Sequence, residues 1–385
     1  MRIRVHAMGL LAALLSVVCA CDKIPELPSF EGEDGNKAVM IVVNEGLFTT
    51  NTAALSVIYA DGKTYFDVFR WVNDRPLGDV AQSVTEINGY YFVAVNNSRR
   101  VEVLDKKTFK SVGCIRYKES GSPRFIAPLS DSTAMVSDLY GQIVTIRTKP
   151  PYKELEYIKL PLKSTSIEKI TSVGGKVFGA YLNRGLAVFD CDDYSIRNMR
   201  LMEDVVVGEL TKTCKMQVDA DDHLWVVTTP RLARDQKSLT LNCIDPALER
   251  VIKKVEIPYV LSDIKSGDIV GMPNYNRVDM DPTKTLIYFN LMVATKDGKD
   301  RKDSNPVQTV YTLNVKTGKV EKYLELPGVS MMYGMGVSPK GEVCICDCLD
   351  YTAQRGYVRV FSRETSEVKS YKVGVYPRMI IFPQD

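Results

Sequence analysis

Few residues in this chain could do chemistry by type and spacing. Asp219-Ala220-Asp221-Asp222-His223 sets three carboxylates beside one of only two histidines, a donor set that suits a calcium or transition-metal loop. Cys344-Ile345-Cys346-Asp347-Cys348 places three thiols at alternate positions. On a strand that alternation puts all three on one face but spreads them over about 13 Å, too far to converge on one metal without other partners. They read as small buried residues of a tight inner strand. A nucleophilic triad would have to use His223, which has no Gly-x-Ser-x-Gly elbow near it. Neither a Cys-x-x-Cys-His haem attachment nor a glycine-rich phosphate loop occurs. Carboxylate pairs are to be expected by chance among 47 acids, so they carry no signal. The residues assign no catalytic group, no metal and no cofactor.

The elements that hold these residues are repeats. Val375-Tyr376-Pro377-Arg378-Met379-Ile380-Ile381-Phe382 near the C-terminus has the form of Gly121-Ser122-Pro123-Arg124-Phe125-Ile126-Ala127-Pro128 in the interior. Opening strands recur near Asp79, Ser122, Thr165, Cys214, Tyr275, Tyr333 and Tyr376, at spacings of 43, 43, 49, 61, 58 and 43 residues. Such periods fit blades of four short strands, and seven openings predict seven blades. Each opening is followed by a tight polar turn and a second apolar strand. The turns include Asn88-Gly89, Gly174-Gly175, Asp221-Asp222 and Lys340-Gly341, rich in residues that accept positive φ. His223 therefore falls in a first-to-second-strand turn, and the acidic run reads as that turn rather than as a metal loop.

The fold class is all-β, a seven-bladed β-propeller of four-stranded blades in a single domain over residues 38–385. Its first blade takes an innermost strand from Arg378 to Phe382 and its others from Val39 to Val43, Ala54 to Tyr59 and Tyr65 to Phe69. Sharing one sheet between the termini closes the ring, and no amphipathic helix of useful length is expected. Insertions at Pro230 to Ser238, Ala294 to Pro306 and Leu349 to Gly356 lie between second and third strands, on the face that also carries the blade-to-blade connections. Loops on a rigid scaffold favour binding.

Second strands end on that face with Asn44 and Glu45, Asn96 and Asn97, Asp138 with Tyr140, Tyr181 with Asn183, Thr229 and Arg231, Asn290, and Asp347. The expected ligand-binding set is Asn44, Glu45, Asn96, Asn97, Tyr140, Tyr181, Arg231 and Tyr351, beside Arg124 and Arg378 at the starts of inner strands. Amides, aromatics and a few guanidiniums suit a neutral, polar, sizeable ligand better than a polyanion. The competing reading is that these side chains cap strands and bond neighbouring loops.

The N-terminus has its own chemistry. Arg2 and Arg4 precede an apolar run from Met8 to Cys19, too short for a membrane span and suited to a secretory signal over residues 1–20. Val18-Cys19-Ala20-Cys21 resembles the lipobox of bacterial lipoproteins, with Cys21 the lipid acceptor. Residues 21–37, with prolines, glycines and scattered acids, read as a flexible tether. Without residues 1–20 the basic residues number 48 against 47 acids, a net charge of +1, which leaves no electrostatic case for nucleic acid. Seven cysteines then remain besides Cys21, an odd number that argues against a full disulfide framework.

Val43-Asn44-Glu45-Gly46, Leu77-Gly78-Asp79-Val80, and Tyr91-Phe92-Val93-Ala94-Val95-Asn96-Asn97-Ser98 followed by Val101-Glu102-Val103-Leu104-Asp105 resemble the YncE-like seven-bladed propeller lipoproteins of Gram-negative outer membranes. The likeness is clearest from residue 39 to about 130, and after Thr165 the glycine-proline signatures are eroded. Among such proteins, BtuG-like surface lipoproteins capture cobalamin and pass it to a TonB-dependent transporter. The resemblance implies a lipid-anchored binding module at the cell surface or periplasmic face of the outer membrane, with a corrinoid on the loop-rich face as the leading specific ligand. A propeller that binds proteins without a small-molecule ligand is the alternative, and a lactonase-like or quinoprotein-like enzyme comes after it.

Overall fold

The computed structural model describes residues 37–161, 166–182, 184–205, 216–228, 238–258, 269–271, 277–294, 308–350, 352–365 and 367–383. The expected signal, Cys21 and nearly all of the tether lie outside them. Blade 1 contains β1 (Ala38–Asn44), β2 (Ala54–Tyr59) and β3 (Thr64–Tyr65), followed by the short helix α1 (Val68–Asn73). Blade 2 is β4 (Ala81–Ile87), β5 (Tyr90–Val95), β6 (Arg100–Asp105) and β7 (Ser111–Arg116). Blade 3 is β8 (Pro123–Pro128), β9 (Thr133–Asp138), β10 (Gln142–Arg147) and β11 (Lys153–Lys159). Blade 4 is β12 (Ile167–Val173), β13 (Lys176–Tyr181), β14 (Gly185–Asp190) and β15 (Arg200–Met202). Blade 5 is β16 (Gln217–Val218), β17 (Leu224–Thr228), β18 (Ser238–Asp245) and β19 (Arg250–Pro258). Blade 6 holds β20 (Ile269–Gly271), β21 (Val278–Met280), β22 (Leu286–Ala294), β23 (Gln308–Asn314) and β24 (Val320–Leu326). Blade 7 is β25 (Met332–Val337), β26 (Val343–Asp347), β27 (Arg355–Phe361) and β28 (Val368–Val375), after which β29 (Pro377–Ile381) ends the chain's sheet structure.

The expected seven-bladed ring is the observed one: seven antiparallel sheets, with β29 joining β1, β2 and β3 as the inner strand of blade 1. Ile41 pairs with Ile381, Val42 with Ile380 and Val43 with Met379, so the two ends of the chain share one ladder.

Period-two side-chain alternation seals the ring. Tyr91, Val93 and Val95 of β5 pack toward blade 1, while Phe92 and Ala94 pack toward blade 3. Cys344 and Cys346 of β26 pack against Met40, Val42 and Ile58 of blade 1, and Ile345 packs toward blade 6. Among the described residues seven apolar clusters result, one for each neighbouring pair of blades. Burying each large side chain contributes roughly 1.5–3 kcal/mol before entropic costs, so the interfaces between blades carry most of the stability.

Two expectations change. The strand expected from Tyr65 to Phe69 stops at Tyr65, because Asp67 turns left-handed at φ 54° and caps α1, accepting from the Arg70 amide at 3.3 Å. Val68 and Phe69 are still fully buried, but from a helix. In blade 6 an additional strand, β20, pairs with the far end of β22, Ile269 opposite Ala294. The insertions do fall between second and third strands. Most of the first two lies outside the described residues.

Candidate functional site

The inner strands advance in step around the channel. Ser83 donates to the Arg124 carbonyl at 2.7 Å and Thr85 to the Ile126 carbonyl at 3.0 Å, which sets β4 and β8 parallel. Gly334 and Gly336 likewise face Arg378 and Ile380. The strands therefore start together at the loop-rich mouth and end together at the opposite one, and the two mouths differ in chemistry.

At the loop-rich mouth, charges are already partnered. Arg378, only 1% exposed, donates from one guanidinium nitrogen to Glu45 at 2.5 Å and to Gln82 at 2.7 Å. Tyr333 donates its hydroxyl proton to the same Glu45 carboxylate at 3.0 Å. Arg124 donates to Glu168 at 2.9 Å, joining the inner strands of blades 3 and 4. Gln82, Tyr333 and Glu168 were absent from the expected site set. Their signal was position: each lies within two residues of the start of an inner strand, level with Arg378 or Arg124.

Several expected site residues turn inward instead. Asn44 is fully buried, donates to the Ser56 hydroxyl at 2.9 Å and accepts from the Gly374 amide at 2.8 Å. Asp138 accepts from the Ser122 and Tyr140 amides at 2.6 and 2.8 Å, and burial raises its carboxyl pKa above the ordinary value. Asn290 donates to the Thr309 carbonyl at 2.9 Å, and Asp347 accepts from the Met331 amide and from Arg359. In these four blades the second-strand terminus is a bracket for the backbone beside it, which is the strand-capping reading. Tyr181 is fully buried in the core between blades 3 and 4, its hydroxyl without a hydrogen-bond partner among the described residues. Asn96 is buried at a turn whose carbonyl accepts from the Arg99 amide at 3.0 Å. Asn97 is exposed yet donates to Asp79, and Tyr140 stands 62% exposed on the rim. Arg231, Asn183, Thr229 and Tyr351 lie outside the described residues.

The opposite mouth holds a cavity of about 630 Å³. Five inner strands build it: β29, β4, β16, β21 and β25. Val84, Val218, Met280, Val337, Met379, Ile381 and Phe382 give an apolar wall, and Thr85, Glu86, Gln217, Asp279, Asp281 and Lys284 bring polar groups to it. The carboxylates are held. Glu86 pairs with Lys106 at 2.8 Å, Asp279 accepts from the Val337 amide at 2.9 Å, and Asp281 accepts from the Thr285 and Leu286 amides. Among the described residues, no histidine or cysteine lines the cavity. Its volume lies within the range of small-molecule sites, and an apolar wall with a few placed polar groups suits an amphipathic guest.

Cys344 and Cys346 share one face of β26, as the alternation predicts, whereas Cys348 lies just beyond the strand, its thiol 3.6 Å from the Met331 carbonyl. Cys344, Cys346 and Cys348 are fully buried free thiols, and burial raises the pKa of all three. The acidic run at His223 is the expected turn between β16 and β17. Asp219 accepts from the Asp221 and His223 amides there, at 3.0 and 2.9 Å.

No known protein family and no curated protein matches this sequence. Solved structures do match. A protein from Lactobacillus plantarum superposes with a TM-score of 0.60 at 6% identity, over 90% of this chain and 99% of its own. A "putative 6-phosphogluconolactonase" from Bacteroides uniformis gives 0.59 at 9% identity, over 91% and 100%. Another protein of that description, from Bacteroides fragilis, gives 0.57 at 10% identity, over 91% and 99%. At such identities the likeness establishes the fold, not a shared activity.

Proposed function

We propose that this chain is a lipid-anchored envelope propeller, of the YncE-like kind, that binds an amphipathic small molecule at the channel mouth formed by the ends of its inner strands. The observation that carries this reading is the 630 Å³ cavity with an apolar wall whose carboxylates are already engaged by backbone amides or a lysine. Binding needs shape and a few polar contacts. A cavity of this volume with an apolar wall and a few placed polar groups is suited to holding a small molecule. The lipobox-like Val18-Cys19-Ala20-Cys21 supports anchoring, and the resemblance over residues 39–130 supports an accessory role in outer-membrane nutrient uptake with a TonB-dependent transporter as partner. A corrinoid is the leading specific ligand, seated by one end in the open mouth.

The test is calorimetric titration of the mature chain with cobalamin, haem and a panel of amphipathic nutrients, repeated on Met379→Trp, which narrows the cavity. Saturable heat with one ligand, lost in the variant, supports the reading. No heat with any ligand, or binding indifferent to Met379→Trp, removes it.

A second reading rests on the other face, where Phe48 is 67% exposed on a loop of blade 1 and Leu139 and Tyr140 are 42% and 62% exposed on a loop of blade 3. An apolar rim of this kind suits a protein partner. Cross-linking in intact envelopes that depends on Phe48 and Tyr140, with no small-molecule heat, would favour it.

A further inference from the structure

The turn at Asp219–His223 leaves one feature that its hydrogen bonds do not use. It folds over the cross-strand pair Trp225 and Cys243 of β17 and β18, and this brings a third donor type to the turn. The carboxylate of Asp219, the imidazole of His223 and the thiol of Cys243 present ligand atoms that all lie within 4.8 Å of one another. His223 Nδ1 is 3.5 Å from Asp219 Oδ2. We propose that these three residues form a site for a borderline-soft divalent cation, zinc above all.

The donor chemistry selects the metal. A thiolate with an imidazole suits zinc or a late transition metal, whereas calcium and magnesium take all-oxygen sets. Charge balances as well: one carboxylate and one thiolate neutralise a divalent ion, which matters where Asp219 and Cys243 are each only 3% exposed. On binding, the Cys243 S–H bond breaks, its proton goes to solvent and the sulfur lone pair forms the bond to the metal. Asp219 is oriented from behind, since the Trp225 indole N–H donates to Oδ2 at 2.8 Å and two backbone amides hold Oδ1. Outer groups of this kind fix a ligand's direction.

The fit needs a small closure. Tetrahedral bonds of about 2.0–2.3 Å put donor atoms about 3.3–3.8 Å apart, so the trio must draw in by roughly 1 Å. The half-buried His223 ring, 31% exposed, is on the turn and free to make that rotation. The same exposure admits water as a fourth ligand.

Metal-stripped mature chain titrated with cobalt(II) tests the site, because a thiolate bound to cobalt gives an intense near-ultraviolet charge-transfer band. One equivalent should produce the band, and zinc should abolish it by displacement. Cys243→Ser should remove the band. His223→Ala, on the half-exposed turn and harmless to the core, should weaken cobalt affinity at least tenfold, in line with the about 10–100-fold losses seen for lesser perturbations of metal shells. Absence of the band in the native chain would overturn the proposal, as would a band that survives Cys243→Ser or an affinity unmoved by His223→Ala. Asp219 is left unaltered, because its turn hydrogen bonds would confound folding with binding.

Discussion

Arg378 on the last strand places a guanidinium nitrogen 2.5 Å from the Glu45 carboxylate, an ion pair between residues 333 positions apart in the chain. It stands at the seam where β29 completes the sheet begun by β1, so closure of the ring and the polar character of the loop-rich mouth are one arrangement.

Breaking that pair should unseal the ring energetically. Glu45→Gln leaves the buried guanidinium without its counter-charge, and losing one partner of a buried pair costs about 3–5 kcal/mol. Arg378→Met should cost less, because Glu45 retains 18% exposure to water. In a double-mutant cycle followed by urea denaturation, the double variant should lose less than the sum of the singles. Strict additivity would show that the two groups do not interact.

The seam also depends on absent side chains. A Cβ at Gly334 would lie 2.1 Å from the Arg378 carbonyl oxygen, a backbone atom that cannot step aside. Gly334→Ala should therefore lower the melting temperature sharply or prevent soluble expression. Gly89→Ala, with φ +78° and nothing within 4 Å of the added carbon, should cost only about 1 kcal/mol of backbone strain. Equal melting temperatures for the two variants would contradict the close approach.

Asp67 makes stability depend on pH. Burial raises its pKa from the ordinary 3.8 to about 6, so between those values the folded chain keeps a proton that the unfolded chain has released. Stability from this group is present below pH 4 and is lost as pH rises through 6. Asp67→Asn keeps the cap and removes the penalty, and should be the more stable protein at pH 7.5 by on the order of 2 kcal/mol, with no advantage at pH 4. Denaturation curves at the two pH values check the sign.

The three thiols of the Cys344–Cys348 run should be inert in the native fold. Cys344, Cys346 and Cys348 are fully buried, and reactivity needs an accessible thiolate. Site-resolved mass spectrometry after iodoacetamide treatment at pH 8 should find them unmodified until denaturant is added. Rapid native alkylation of Cys346 would mean that the blade 7 to blade 1 interface opens.

The sequence by itself determined the propeller, its seven blades and the joining of the termini. These follow from local rules: period-two alternation, turns with residues that accept positive φ, and a C-terminal segment that repeats an interior one. They hold because each strand's pattern decides which faces it must bury, whatever its neighbours. Which polar strand ends face solvent was not legible in the same way. Asn44, Asp138, Asn290 and Asp347 look alike in sequence to a ligand-binding ring, yet each is drawn inward by backbone groups of adjacent strands or loops, up to 330 residues away in the case of Gly374. The cavity formed by β29, β4, β16, β21 and β25, and the approach of Cys243 to Asp219 and His223, likewise exist only once distant strands are brought together. A site assembled from one or two residues of each blade has no local signature, because its spacing is set by how the blades close and not by the order of residues within any one of them.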